Sequence, residues 1–366
     1  MKNILVVLLV FISAVCEAQV PVVDTASSAK ISQDFLNKLD SLGGIDSAAN
    51  AQMKYNKGVE LMDLKSFKEA ISFFDSATHY DNSFVLAFFN KGICHMKLGN
   101  LALAKNNFTL LLEKDSNYHL AHFEMGQIYQ QEGFIEMAVN SYNTAISKND
   151  KDYKYFYNRG VLFFQQSEFE KAKKDFSKTI QLKNNHAYAY NDRGSTYLKL
   201  DNIDAAIKDF HKAVEFNPQL SFSYNNLGTA YRKKEKYNES IRAYNEAVKI
   251  DNSYYVAINN RGMSKFNKED YEGAILDFDK CLKLNPTYSY AINNKASCFI
   301  GLEEWDKAIL FADKAIALNE NYTYAYYNRA IAKEMKRDLD GACEDWKKAS
   351  ELGLDAARIY YNSTCK

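Results

Sequence analysis

The sequence predicts an all-α fold, a solenoid of antiparallel helix pairs. The first observation is a strict period of 34 residues, which separates the small residues that close Asn-containing stretches such as "YNRG" at Tyr157–Gly160. The second is an internal pattern of apolar positions that every copy repeats. A fixed period of roughly 20–50 residues is the sequence signature of a repeat architecture. The small residues are Gly58, Gly92, Gly126, Gly160, Gly194, Gly228, Gly262, Ala296 and Ala330.

Each copy has apolar residues spaced as on one side of a helix. An Ala stands twelve residues after the small residue, except where Ser240 replaces it. An apolar residue precedes this position by three, and a large ring follows it by four, except where Ala312 replaces the ring. Spacings of three and four place these side chains on one helical face. The rings are Phe74, Phe108, Tyr142, Phe176, Phe210, Tyr244, Phe278 and Trp346.

A polar turn separates this helix from an earlier one in each copy. Stretches such as "KLGN", "KLDN" and "NKED" interrupt the apolar pattern after the small residue, as turn-forming residues do. Pro218 and Pro286 follow the second helix, where a proline ends a helix at little cost. Each copy is therefore predicted to form a first helix (helix A), a short turn and a second helix (helix B).

The copy resembles the tetratricopeptide repeat. The family's small–Tyr–Ala–aromatic–Ala–Pro pattern is nearly complete in "AYAYNDRGSTYLKLDNIDAAIKDFHKAVEFNP" at Ala187–Pro218. A closing Pro is present in only two copies, and the aromatic residue expected three positions after the small residue is replaced by Leu61, His95, Lys265 and Lys333. The resemblance implies a right-handed superhelical solenoid. The resemblance extends over nine consecutive repeats, at residues 51–84, 85–118, 119–152, 153–186, 187–220, 221–254, 255–288, 289–322 and 323–356.

Single helices are predicted to cover the ends of the array. The stretch "ISQDFLNKLDSLGG" places Ile31, Phe35 and Leu39 on one face, and its two glycines indicate a helix end. We expect an amphipathic helix at about residues 31–42, within a linker at residues 19–50, that caps the first repeat. A partner-binding helix is the alternative. Residues 357–366 are expected to form a C-terminal capping helix.

Residues 1–18 have the features of a secretory signal peptide. Lys2 gives a positive start, and the apolar run Ile4–Ile12 is shorter than the roughly 20 residues of a membrane span. Cleavage is expected after Ala18, which predicts an exported protein, periplasmic or secreted. Lipid attachment at Cys16 is the alternative, which Val15 disfavours because such sites prefer a small residue there. No other stretch of the sequence is apolar enough to span a bilayer.

Charge and motifs argue against two classes of function. Lys and Arg total 46, as do Asp and Glu, and no basic block is present, so nucleic acid is not an expected partner. The sequence has no phosphate-binding loop, nucleophile elbow or metal-spaced Cys and His set, so we expect neither an enzyme nor a cofactor. His119 and His122 lie near Glu124 on one helical turn. We interpret them as a solvated first turn rather than a metal site, because three ligands on one turn rarely converge.

The cysteines that follow the predicted signal peptide allow one disulfide. Cys343 lies early in the last helix B, Cys365 lies at the end of the closing helix, and both are about equally far from the turn at Gly353–Leu354. Two antiparallel helices rising about 1.5 Å per residue would bring them level. We therefore predict a Cys343–Cys365 bond, which an exported protein permits. The remaining three are predicted to be small core residues: Cys94, Cys281 and Cys298.

A polar residue, usually Asn, stands two positions before the small residue. Helix A lines the inside of a tetratricopeptide superhelix, and in some members an Asn at this place binds the backbone of a peptide. An amide offers a donor and an acceptor, so it can bond a peptide unit of any sequence. The alternative is structural, because Asn is common here in members without a known ligand. The candidates are Asn56, Asn90, Asn158, Asn226, Asn260, Asn294 and Asn328, of which the last four are expected to face solvent when no ligand is bound.

A second row on the same helical face carries aromatic rings in the C-terminal half, four residues before the polar row. Asn is also doubled there, as at Asn225–Asn226. The family's chaperone-tail binders hold a terminal carboxylate with basic residues in these places, and that clamp is absent here. Basic residues beside the Asn row, such as Arg159, are expected to lay their stems over neighbouring helices. The rings are Tyr188, Phe222, Tyr290 and Tyr324.

These patterns favour a scaffold that binds an extended peptide or a partner protein along helices A, in a bacterial cell envelope. The first alternative is a structural spacer that self-associates, and a homo-oligomer is compatible with the sequence. The second is a glycan-binding module, because rings and amides also suit sugars. The sequence does not identify the partner.

Overall fold

The computed structural model describes residues 47–365. Within this range every regular element is a helix, and helices A and B alternate along the chain. The predicted signal peptide, the amphipathic helix at 31–42 and most of the linker lie outside the described residues, as does residue 366. The all-α array of helix pairs predicted from the period is confirmed.

The described chain divides into two compact units, of which the N-terminal one ends at Asn184. Each repeat in it consists of a helix A that is followed, after a tight turn, by a helix B. These helices are α1 (Ser47–Asp63), α2 (Phe67–Tyr80), α3 (Val85–Lys97), α4 (Leu101–Lys114), α5 (His119–Gln131), α6 (Ile135–Lys148), α7 (Tyr153–Gln165) and α8 (Phe169–Leu182).

The C-terminal unit begins at Asn185 and continues the alternation of helices A and B. Its last helix, α19, begins at Asp355, two residues before the start expected for a capping helix, because only residues 352–354 separate it from α18. The helices are α9 (Ala187–Lys199), α10 (Ile203–Phe216), α11 (Ser221–Lys233), α12 (Tyr237–Ile250), α13 (Tyr255–Phe266), α14 (Tyr271–Leu284), α15 (Ser289–Gly301), α16 (Trp305–Leu318), α17 (Thr323–Met335), α18 (Leu339–Glu351) and α19 (Asp355–Thr364).

The small residue of helix A makes room for the ring of helix B. Phe278 on α14 is fully buried, and a Cβ added to Gly262 on α13 would lie 2.7 Å from its Cε1. The approach is equally close between Gly194 and Phe210. A methyl group here would push the ring away, because non-bonded carbon atoms prefer about 3.5–4.0 Å. The recurrence of a small residue every 34 positions therefore follows from the packing of each pair.

The pair α15–α16 lacks both the glycine and the ring. Ala296 takes the place of the glycine and Ala312 the place of the ring, and both are fully buried. Phe311, one residue earlier, is half-buried and stacks on Phe299 with ring centroids 5.3 Å apart. In this pair an alanine on helix A, which is larger than glycine, therefore faces a helix B that carries an alanine instead of a ring.

A left-handed residue connects helix A to helix B, seven positions after the small residue. Its φ is +59° at Asp201 and +65° at Glu269. A residue with a Cβ pays roughly 1–2 kcal/mol in this conformation, and glycine takes the position only at Gly99 and Gly133. The polar interruptions seen in the sequence are these left-handed turns.

We expect Gly262→Ala to lower the free energy of unfolding by about 1–3 kcal/mol, the usual cost of overpacking a core. Phe278→Ala should cost about 3–5 kcal/mol because it leaves a cavity. The double variant should lose less unfolding free energy than the two single variants lose together, since removal of the ring makes room for the methyl group. Urea unfolding of the four proteins measures this coupling, and strictly additive free energies would contradict the proposed contact.

Cys343 on α18 and Cys365 after α19 are joined by a disulfide, with Cα atoms 5.7 Å apart. The bond holds the last helix of the described chain against α18. The other described cysteines are free and fully buried, as predicted for core residues. Burial raises the pKa of each of their thiols to about 12, so they remain protonated at neutral pH. These thiols are Cys94, Cys281 and Cys298.

Reduction of the Cys343–Cys365 bond should destabilise the C-terminal unit by about 3 kcal/mol, because the bond closes a loop with a sequence separation of 22 residues. Non-reducing peptide mapping of protein made by its native export route should recover the two cysteines in one linked fragment. The Cys343→Ser/Cys365→Ser variant should melt at the temperature of the reduced protein. Two free thiols in the exported protein would contradict the bond.

Candidate functional site

Neighbouring helices A of the C-terminal unit are linked by a row of side-chain amides. In each link the Asn two positions before the small residue donates Nδ2 to the Oδ1 of an Asn on the preceding helix A. Asn226 donates to Asn191 at 3.1 Å, and Asn260 donates to Asn225 at 3.0 Å. We call this row the amide ladder. Its other links are Asn294 to Asn259 at 3.0 Å and Asn328 to Asn293 at 2.9 Å.

The amide ladder buries two of the asparagines that were expected to face solvent. Asn226 is 5% exposed and Asn328 is 8% exposed, so that expectation is wrong for both residues. Consecutive helices A pack side by side, and the ladder bonds satisfy amides that this packing removes from water. A buried amide left without a partner would cost roughly 1–3 kcal/mol. These two asparagines therefore stabilise the array itself.

Asn260 and Asn294 keep part of their amides accessible. Both side chains are half-buried, and each makes a single hydrogen bond to another described residue, the ladder bond. A side-chain amide has two N–H donors and a carbonyl oxygen with two lone pairs. Each of these residues therefore retains one N–H and its Oδ1 for a ligand.

The three candidate asparagines of the N-terminal unit do not form a ladder. Asn90 donates Nδ2 to the Tyr55 hydroxyl at 3.0 Å, and Asn158 donates to the Lys154 carbonyl at 2.8 Å. Asn56 is exposed. The position that supplies the acceptor Asn in the C-terminal unit is aromatic in all four N-terminal repeats. The amide row is consequently a feature of the C-terminal unit.

The predicted rings lie on the helices A of the C-terminal unit that carry the ladder. Tyr188 on α9 and Phe222 on α11 are stacked, with centroids 6.0 Å apart and planes inclined by 28°. Tyr290 on α15 is 38% exposed and meets the Tyr322 ring edge-on at 5.4 Å. Tyr324 on α17 is half-buried. A bound chain would therefore find rings at both ends of the amide ladder.

The ladder, acceptor and ring positions of α11, α13, α15 and α17 carry no charged side chain. They are occupied by Asn, by aromatic residues and, on α13, by Val256. On α9 the ladder position is Asp192, which is buried and accepts a bond from the Asn191 amide at 3.0 Å. A ligand on these helices meets amides and rings rather than fixed charges.

The basic residue just before the small residue joins three helices. Arg159 on α7 donates Nε and Nη2 to the Asp175 carboxylate on α8, both at 2.7 Å, and Nη1 to Asn143 on α6 at 2.6 Å. Burial raises the pKa of the Asp175 carboxyl, and the arginine only partly offsets this effect. Removal of the arginine alone would leave a buried carboxylate unpaired, which is costly. The sequence predicted that the Arg stems lie over neighbouring helices, but it did not predict the ion pairs that their guanidinium groups form.

Glu124 occupies the ladder position of α5 without a hydrogen bond to any described residue. Its side chain is 8% exposed. Burial raises the pKa of this carboxyl to about 7, and the charges of Lys97 and Lys154 offset the effect only in part. The expected solvated turn is therefore wrong for Glu124. His119 is half-buried, and its Nδ1 lies 2.6 Å from the Tyr155 hydroxyl.

Glu124→Gln should raise the free energy of unfolding at pH 8 by on the order of 1–3 kcal/mol, since one pKa unit corresponds to about 1.4 kcal/mol. The folded pKa lies above the unfolded one, so the native protein loses stability as pH rises from about 4 through about 7. The benefit should therefore be smaller at pH 5. Urea unfolding at both values, with the exposed Glu136→Gln as control, measures the difference. An equal effect at the two pH values would contradict the burial of an ionisable group.

Metal clusters and membrane-spanning helices are absent from the part of the chain that the structure describes. No group of three or more His, Cys, Asp or Glu side chains in residues 47–365 is placed to hold a metal ion. None of the helices in this range combines the length and apolar character needed to cross a bilayer. The Nε2 of His122 lies 3.1 Å from the Ser116 carbonyl oxygen.

Two features of the site escaped the sequence reasoning. Three acceptor asparagines stand out in the sequence only as members of Asn doublets and Asn191 not at all, although a spacing of 35 residues separates each acceptor from its ladder partner. The ion pair had a signal as well, an Asp sixteen positions after the Arg. The pairs are Arg159 and Asp175, Arg193 and Asp209, Arg261 and Asp277, and Arg329 and Asp345.

The alternating helices A and B and the bonds between consecutive helices A define a helical-repeat protein. Family models described as tetratricopeptide repeat match residues 187–220, 221–254 and 255–288, and a second model with that description matches residues 123–187. Residues 123–288 are therefore matched as tetratricopeptide repeats, and the described chain on both sides of them continues the same array of helix pairs. No curated protein sequence matches the chain.

Solved structures of tetratricopeptide-repeat proteins share this fold. A repeat protein from Parabacteroides merdae is 20% identical, with 68% of this chain and 98% of the other covered and a TM-score of 0.51. The C-terminal part of a repeat-containing protein from Cytophaga hutchinsonii is 16% identical, with coverages of 66% and 98% and a TM-score of 0.55. A chain of the APC/C hetero-tetramer Cut9–Hcn1 is 14% identical, with coverages of 91% and 81% and a TM-score of 0.53. At these identities the likeness concerns the fold alone.

Proposed function

We propose that the protein is a non-enzymatic interaction scaffold that binds an extended segment of a partner protein on the helices A of its C-terminal unit. The observation that carries the proposal is the pair of half-buried ladder asparagines, Asn260 and Asn294, which keep unused donors and acceptors. An extended peptide needs such partners for its own N–H and C=O groups. The family to which the repeats belong supports this general role.

The rings complete the proposed site. Tyr290 is 38% exposed next to the ladder, and the stacked pair Tyr188 and Phe222 lies on α9 and α11 of the same unit. Aromatic side chains contribute large contact areas and dominate the energetics of many interfaces. In this arrangement the amides bond the backbone of the partner segment and the rings pack against its side chains. Asn226 and Asn328 hold the helices A together and belong to the frame of the site.

The Asn260→Ala/Asn294→Ala variant should lose about tenfold or more in affinity for a partner captured from envelope extract. Each lost amide contact is worth about 0.5–1.5 kcal/mol, and tenfold corresponds to about 1.4 kcal/mol. The matched control is Asn252→Ala, an exposed Asn in the turn between α12 and α13. Titration of the purified partner against the three proteins, with thermal unfolding of each, is the measurement.

Unchanged affinity in the double variant, with the fold intact, would place the partner elsewhere. Three further outcomes distinguish the alternatives. Capture of the chain by itself alone would favour a self-associating spacer, and retention only on a glycan matrix would favour a sugar-binding module. A stoichiometric protein partner that the double variant loses would support the proposal.

We further propose that the scaffold acts in a bacterial cell envelope after export. The support is the sequence of residues 1–18, with its positive start, short apolar run and Cys-Glu-Ala end. Intact-mass measurement of protein from its native host should show a mature chain that begins at Gln19. A chain that still begins at Met1 would contradict removal of a signal peptide. A lipid on Cys16 would show that the protein is anchored to a membrane instead.

A further inference from the structure

The helix A surface of the C-terminal unit repeats the same chemistry at the spacing of packed helices. The ladder bonds of 2.9–3.1 Å show that consecutive helices A are direct neighbours. Helices in direct contact have axes about 8–10 Å apart. An extended ligand that crosses α13 and α15 therefore meets the half-buried amides of Asn260 and Asn294 about this distance apart.

Two kinds of extended chain differ in how they match this interval. A β-strand turns successive side chains to opposite faces, so one face recurs every two residues, or about 6.6 Å. A polyproline II helix has three residues per turn and a rise of about 3.1 Å, so one face recurs about every 9.3 Å. Only the second period agrees with the spacing of the helices. A polyproline II segment can therefore present an equivalent residue to each successive helix A.

The side chains at the site also suit proline. Proline rings pack against aromatic side chains in the grooves that bind such segments, and Tyr290 and Tyr188 are both more than a third exposed. Proline retains a carbonyl but has no backbone N–H. The second Nδ2 hydrogens of Asn260 and Asn294, which no described residue accepts, can donate to such carbonyls.

Charge complementarity excludes a highly charged segment. The ladder and ring positions from α11 to α17 are uncharged, so a charged side chain laid across them would lose hydration without gaining a counter-ion. Peptides rich in Lys, Arg, Asp or Glu are therefore poor occupants of these positions.

Building on the proposed peptide-binding function, we infer that the C-terminal unit selects an uncharged, proline-rich partner segment in the polyproline II conformation, with prolines three residues apart. The geometry assigns successive turns of the segment to successive helices A. The amides of Asn260 and Asn294 donate to its carbonyls, and the ring of Tyr290 packs on a proline.

Three fluorescent synthetic peptides of equal length test this inference with the full mature chain. The first has proline at every third position among Ala and Gln, the second has the same composition with proline spacing scrambled, and the third replaces every proline by Ala. Fluorescence anisotropy should show at least about tenfold tighter binding of the first peptide than of either other. The Asn260→Ala/Asn294→Ala variant should weaken that binding about tenfold, whereas the Asn252→Ala control should not change it.

Each other result overturns the inference in a recognisable way. Equal binding of all three peptides, lost in the double variant, would contradict proline selection and leave the proposed peptide-binding site in place. Tight binding of the first peptide that the double variant retains would locate it on another surface. No binding of any peptide would overturn the polyproline II inference, while titration of the captured partner would still decide whether the helix A surface binds protein.

Discussion

The close approach of a small residue on helix A to a ring on helix B is the contact on which the repeats depend, apart from α15–α16, where alanines take both places. At Gly262 and Phe278 it leaves no room for a methyl group, so the register of the two helices is set by the pair. Once a ring is seated, the residues just before the glycine have defined directions. In the C-terminal unit the Asn two positions earlier faces the preceding helix A. A basic residue one position earlier, such as Arg159, faces two helices B. Core packing thus orients the polar surface.

The amide ladder divides the asparagines of one row into two roles. Asn226 and Asn328 are buried and satisfy the interface between neighbouring helices A, whereas Asn260 and Asn294 are half-buried and keep bonding capacity. A repeat array is stabilised by its repeats and by the interfaces between neighbours. A ladder that contributes to those interfaces also holds the remaining amides in fixed positions, which lowers the entropic cost of ordering them when a ligand binds.

The period of the sequence was sufficient to predict the helix pairs, because the small residue of helix A and the apolar positions of helix B recur without insertion. It also predicted which asparagines share a face. The burial of Asn226 could not be predicted from that face alone, since it depends on the acceptor Asn191, 35 residues earlier on another helix. Glu124 was misjudged for a related reason. Its position resembles an exposed first turn in sequence, but neighbouring helices remove it from water and raise its pKa to about 7.

Hydrogen–deuterium exchange of the mature chain with and without its captured partner tests the central claim most directly, because it locates the contact surface without changing a residue. The account predicts slower exchange at the accessible N-terminal turns of α11, α13, α15 and α17 in the complex, and little change in α10, α12, α14 and α16. Protection confined to those helices B, or to the N-terminal unit, would contradict a binding site on the amide ladder and its neighbouring rings.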